Sequence, residues 1–271
     1  LRSDFGDRLA RLARAFACDL ADHSAAPPAY IPIVEMSFLS QAIGRWGIFA
    51  PFAHGRGYEA KRCLVRAAIA AVEAVREVDP RARIIHAEPL VHFVAPPGRP
   101  ELLQSALAKN RGQFEILDML AGELEPQLGG HPRYLDILGF NYYPYNQQDV
   151  TELSLLPSEP RWVDLADVLA DAYAHYRRPF LITETTGVGR ARPAWLEYVA
   201  AQAERLLMQG LPLEGICLYP ATNAPDWDTD ECIAYGLWDL ERRSNGHLAR
   251  VLHEPTAAAL RAAQARLQSY L

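Results

Sequence analysis

"YLDILGFNYY" (residues 134–143) is an apolar run with a polar end. Leu135, Ile137, Leu138 and Phe140 read as a buried strand, and Asn141, Tyr142 and Tyr143 stand where it stops. A strand this apolar suits a parallel sheet covered on both faces by helices. If the sheet is parallel, other strands should carry their polar residues at the same end.

They do. "IPIVEMSF" (31–38) reads as a strand interrupted by Glu35, and "RIIHAEP" (83–89) carries Glu88 near its end. "PFLITETTG" (179–187) carries Glu184, and "GICLYPATN" (215–223) ends on Asn223, with Asp226 and Trp227 just beyond. Helical spacing fills the gaps: 4–22, 58–78, about 100–126, 163–178, 193–210 and a last helix from Pro255. Strands and helices alternate, with no linker or low-complexity tract, so the reading is a single α/β domain over 1–271. No Gly-rich phosphate fingerprint supports a doubly wound sheet. A (β/α)8 barrel explains the polar ends, because parallel barrel strands all open on one face, where active sites lie.

Composition narrows the chemistry. The net charge of −6 argues against nucleic acid, which needs a basic face. No apolar run reaches the length of a membrane span. The first 16 residues, "LRSDFGDRLARLARAF", pattern as an amphipathic helix rather than a signal peptide. Cys18, Cys63, Cys217 and Cys232 form no C-x-x-C pair, so neither zinc site nor disulfide framework is indicated, and Cys63 and Cys217 read as core residues. A reduced, cytoplasmic protein without metal or cofactor is the expectation. His54, His86 and His92 read as hydrogen-bonded structural histidines.

A barrel mouth rich in carboxylates, Asn and aromatic rings suits carbohydrate. Rings stack on sugar faces, and carboxylates and amides bind pairs of hydroxyls. Two carboxyls flanking one bond are the requirement for glycoside hydrolysis, and three are candidates: Glu35, Glu88 and Glu184.

The motifs, in this order, resemble glycoside hydrolase family 1, the β-glucosidases and their relatives. "DILGFNYYPYN" is similar to the family's D-F-x-G-x-N-Y-Y segment and "PFLITETTG" to its I-T-E-N-G nucleophile strand. "GICLYPATNAPDWDTDECIAYGLWDLE" is similar to its final strand and loop, and "IPIVEMSF" falls where the family has T-x-N-E-P. The resemblance implies a TIM (β/α)8-barrel glycosidase fold of which five strands are visible, the first three βα units being absent. A partner segment completing the barrel is one source for the missing strands. It implies a retaining β-glycosidase acting on a small-molecule or oligosaccharide glycoside, with Glu184 as nucleophile and Glu35 as acid/base. The family separates those two acids by two intervening strands, which selects Glu35 over Glu88 and leaves Glu88 a subsite or structural residue. The carry-over further implies that Tyr143 hydrogen-bonds the nucleophile and that Asn141, Tyr219, Asp226 and Trp227 contact sugar. In a retaining enzyme the two carboxyls lie about 5–5.5 Å apart. Val34 stands where the family has the Asn that contacts the sugar 2-hydroxyl. The alternative reading is therefore a non-catalytic or truncated glycosidase-like protein that binds carbohydrate.

Overall fold

The computed structural model describes residues 4–24, 26–226 and 229–270. The chain divides into two compact units, one formed by residues 1–91 and 101–140, the other by 92–100 and 141–271.

In the first unit, α1 (Phe5–His23) lies on α3 (Gly57–Val78). The contact follows from sequence: Val72 and Val75 recur on one helical face and meet Ala17, with Ala13 and Leu20 packed beside them. This layer covers β1 (Ala29–Tyr30) and β2 (Arg83–Pro89), which pair in parallel with Tyr30 opposite Ile84. Strand β3 (Ile137–Asn141) follows in the order β1-β2-β3 and is buried along its whole length. Asp136 accepts both the Ile84 N–H at 2.9 Å and the Arg76 guanidinium at 2.8 Å, tying strand and helix together.

In this unit two stretches differ in kind from the sequence expectation. "IPIVEMSF" is not a strand. Only Ala29 and Tyr30 join the sheet; the chain then bends, and a short helix, α2 (Met36–Gln41), begins directly after Glu35 and runs into a π-helical turn at Ala42–Trp46. Pro32 has no N–H for a ladder, and the first N–H groups of α2 find an acceptor on β2, so the helix outcompetes the extended chain. The helix expected over about 100–126 is broken into α4 (Leu103–Gly112) and α5 (Glu115–Ala121). Gln113 sits in the break. Its amide donates to Asn110 O and its carbonyl oxygen accepts the Val91 N–H.

In the second unit, β4 (Phe180–Thr185) and β5 (Leu213–Leu218) pair in parallel, with register shifts on either side of Leu181 and Ile182. Helices α6 (Leu165–Tyr176), α7 (Arg192–Met208) and α8 (Glu254–Leu267) belong to this unit. Tyr142 is fully buried and stacks on Trp195, whose indole N–H donates to Thr185 Oγ1 at 2.8 Å. Strand β5 is less covered than its apolar sequence suggests: only Leu213 is buried, and Cys217, read as a core residue, is exposed. Its only described partner in the main sheet is β4, so an apolar sequence here does not mean two covered faces. Among the described residues, no helix is long and apolar enough to cross a membrane.

Candidate active site

The end of β4 carries the most developed arrangement. Glu184 is half-buried, and its backbone carbonyl accepts the Tyr142 N–H at 2.9 Å, which brings the residues just after β3 beside it. The Tyr143 hydroxyl donates to Glu184 Oε2 at 2.7 Å. Asn141, fully buried, gives the same carboxyl a side-chain hydrogen bond. The Thr183 hydroxyl donates to Asn141 Oδ1 at 2.7 Å, which turns the amide nitrogen of Asn141 toward Glu184. Burial raises the Glu184 pKa above the ordinary carboxylate value, while the bonds from Tyr143 and Asn141 hold it down. A carboxyl that accepts two side-chain hydrogen bonds and keeps part of its surface open has the geometry of a positioned nucleophile.

Thr183 carried no signal in the sequence. Successive strand residues normally face opposite sides. Here both Thr183 and Glu184 bond the Asn141 side chain, in a stretch where the β4–β5 register shifts between Ile182 and Thr185.

Farther along the second unit, Tyr219 follows β5 and is 49% exposed, its N–H bonded to Thr185 O. The Asp226 Oδ1 accepts from the N–H of Thr229 at 3.0 Å and from its hydroxyl at 3.2 Å. Trp227 lies outside the described residues. Asn223 is structural here, accepting the Gly236 N–H and donating to Asp239, which also pairs with Arg192.

The first unit holds Glu35 and Glu88. Glu35 is partly exposed and occupies the N-cap position of α2 with φ 52°, the left-handed region that non-glycine residues seldom adopt. Its N–H donates to Ala87 O at 2.8 Å. Val34 beside it is 41% exposed. Glu88, by contrast, is 2% exposed. Its Oε1 accepts the Met36 N–H at 2.8 Å and its Oε2 the Ser37 N–H at 3.0 Å, and the Ser37 hydroxyl also donates to Oε2. Both Glu88 oxygens thus accept hydrogen bonds from the start of α2, which is the structural one of the two roles expected for it. Burial pushes its pKa up to about 7, against the pull of the Ser37 and Met36 hydrogen bonds. Two residues earlier, His86 is fully buried with Nε2 3.0 Å from Tyr134 O, and burial lowers its pKa to about 4.

Solved structures with this architecture exist. A β-glucosidase from Thermotoga maritima bound to deoxynojirimycin superposes with a TM-score of 0.74 at 16% identity, covering 98% of this chain and 69% of that one. The family 1 β-glucosidase from the same organism gives 0.75 over the same shares. The β-glycosidase of Thermosphaera aggregans gives 0.76 at 16% identity, covering 99% of this chain and 62% of its own. The fold is that of the β-glucosidase barrel. This chain represents about two thirds of it, with five parallel strands. At 16% identity the likeness is one of fold. No family model matches the sequence, and no curated protein does.

Proposed function

We propose that the chain is the catalytic portion of a retaining β-glycosidase. The observation that carries the reading is the carboxyl of Glu184, half-buried at a strand end and held by the Tyr143 hydroxyl and the Asn141 amide. Glu184 attacks the anomeric carbon while Glu35 protonates the departing oxygen. Water, deprotonated by Glu35, then cleaves the glycosyl ester and regenerates Glu184. Tyr143 and Asn141 fix the attacking oxygens, and their hydrogen bonds favour the ionised carboxyl against the opposing effect of burial. Tyr219, Asp226 and Trp227 are the proposed sugar contacts. The remaining barrel strands are supplied by a further segment, of this polypeptide or of a partner. The substrate is a β-glycoside, matching what the fold neighbours are named for.

The test is hydrolysis of 2,4-dinitrophenyl β-glucoside by the wild type and by Glu184→Ala. Loss of the nucleophile should lower kcat by about a thousandfold or more. Equal rates would remove Glu184 from the mechanism.

A second reading, a carbohydrate-binding protein without turnover, is favoured by one residue. Val34 cannot hydrogen-bond a sugar hydroxyl where the resembling family has an Asn that does. Binding of glucosides without hydrolysis, unchanged in Glu184→Gln, is the result that selects it.

A further inference from the structure

Glu88 is the acid that the catalytic reading leaves out, and its surroundings are unusual. Helix α2 has six residues, too few to be stable without tertiary support. Its N-terminal N–H groups need acceptors, and the N-cap side chain ordinarily provides one. Here the N-cap residue is Glu35, and its side chain makes no capping hydrogen bond. The acceptor comes instead from 51 to 52 residues along the chain: the Glu88 carboxylate takes the N–H groups of both Met36 and Ser37. The strand residue before it, Ala87, takes the N–H of Glu35 itself. The backbone at Glu35 is thus held at three successive N–H groups by β2, in a left-handed conformation that costs energy and persists only where its surroundings impose it.

We propose that Glu88 is a positioning residue for Glu35, capping α2 in its place and so fixing the backbone from which the proton donor projects. The proposal rests on the reading of Glu35 as the acid/base. Its physical content is competition for the same N–H groups. If Glu88 cannot accept them, Met36 and Ser37 keep unsatisfied donors, Met36 being fully buried. Glu35, at the N-cap, is then the carboxylate placed to accept the Ser37 N–H. A carboxyl drawn into capping is no longer where a leaving oxygen needs its proton. Burial of Glu88 serves the same end, because an acceptor sheltered from water stays with its donors on α2.

The experiment uses the full chain and two substrates that differ only in how much they need the proton. Phenyl β-glucoside has a poor leaving group and depends on acid assistance; 2,4-dinitrophenyl β-glucoside does not. Glu88→Gln keeps the shape but replaces one acceptor oxygen with a donor. It should lower kcat/KM for the phenyl glucoside by roughly tenfold to a hundredfold and for the dinitrophenyl glucoside by no more than about twofold. Amide hydrogen exchange at Met36 and Ser37 should speed up in the same variant. If Glu88→Gln does not fold, Ser37→Ala, which deletes a single donor to Glu88, should shift the same ratio by about threefold. An equal fall on both substrates, or unchanged protection at Met36 and Ser37, overturns the positioning role. Glu35→Gln separates the two failures. If it leaves phenyl glucoside hydrolysis unchanged, Glu35 is not the donor and both readings fall. If it slows the phenyl substrate selectively and Glu88→Gln does not, only the positioning role falls. A wild type that turns over neither substrate overturns both.

Discussion

Glu88 and Glu184 look alike in sequence and differ in almost every physical respect. Each follows an apolar run near the end of a parallel strand, "RIIHA" and "PFLIT". Glu88 is closed off, and its donors are two backbone N–H groups and a serine hydroxyl, all on α2. Glu184 keeps part of its surface open, and its donors are the side chains Tyr143 and Asn141. Backbone donors at a helix start make a carboxylate an architectural piece. Side-chain donors on a carboxylate with an open face suit the nucleophile's part proposed for Glu184. A strand-end glutamate therefore acquires its role from what faces it, and burial alone does not tell the two apart, since it raises both pKa values.

The largest expected effect concerns Glu88 and its strand neighbour His86, which titrate in opposite senses over the same range. Glu88 has its pKa raised from 4.5 to about 7. Between those values the folded state holds a proton that the unfolded state has released, so this group makes stability fall as pH rises. His86 is lowered from 6.5 to about 4. Between those values the unfolded state binds a proton that the folded state refuses, so this group makes stability rise with pH. Each contribution is roughly 3 kcal/mol across its window, and from about pH 4.5 to 6.5 the two oppose each other. Urea unfolding of Glu88→Gln, as a difference from wild type, should gain stability with rising pH. The difference profile of His86→Asn should lose it. Flat difference profiles would show that neither group is perturbed as its burial demands.

The next effect lies on the Glu184 side. Tyr143→Phe removes the hydroxyl that donates to Oε2 and leaves the ring stacked on Tyr145. A hydrogen bond to a charged acceptor contributes about 1.5–3 kcal/mol, so kcat for 2,4-dinitrophenyl β-glucoside should fall roughly ten- to a hundredfold. The acid limb of the pH–rate profile should move up, because a donor that favoured the ionised carboxyl is gone. A variant with wild-type kcat and an unmoved acid limb would reduce Glu184 to the same architectural status as Glu88.

How much of this contrast the sequence carried depends on the range of the interactions. "RIIHAEP" is a strand over Arg83–Pro89, with the bounds its apolar pattern implies, because burial on both faces is written locally. "IPIVEMSF" carries an equally apolar pattern and forms a bend and a helix start. Pro32 is a local part of the reason, but the acceptor for the helix start is a carboxylate 52 residues away, and no local window contains Glu88. The placing of Tyr143 beside Glu184 followed from the resemblance of "DILGFNYYPYN" and "PFLITETTG" to family motifs rather than from periodicity. Ser37 and Thr183 were not legible at all. A hydroxyl next to a candidate acid is common, and only the tertiary approach of Asn141 to Thr183 and of α2 to β2 gives these two a partner. Cys217 shows the converse error. An apolar strand sequence predicts burial only when something lies over it, and most of β5 is open.

The smallest effect tests whether the Glu184 arrangement extends one residue beyond its direct donors. Thr183 does not touch the carboxyl; it donates to Asn141 Oδ1, and that bond settles which end of the amide faces Glu184. Thr183→Val keeps the volume and the β-branch and removes the donor. The bond is one between neutral groups, so the loss is about 1 kcal/mol, or roughly a fivefold fall in kcat. Because Asn141 could then present its oxygen to the carboxylate, the acid limb should move in the same direction as in Tyr143→Phe, by less. In the double variant Thr183→Val/Asn141→Ala the effect of the threonine should vanish, since its only route to Glu184 is gone. If the threonine effect persists there, it arises from packing within β4. The controlled charge of Glu184 then depends on its two direct donors alone, as the capping of α2 depends on Glu88.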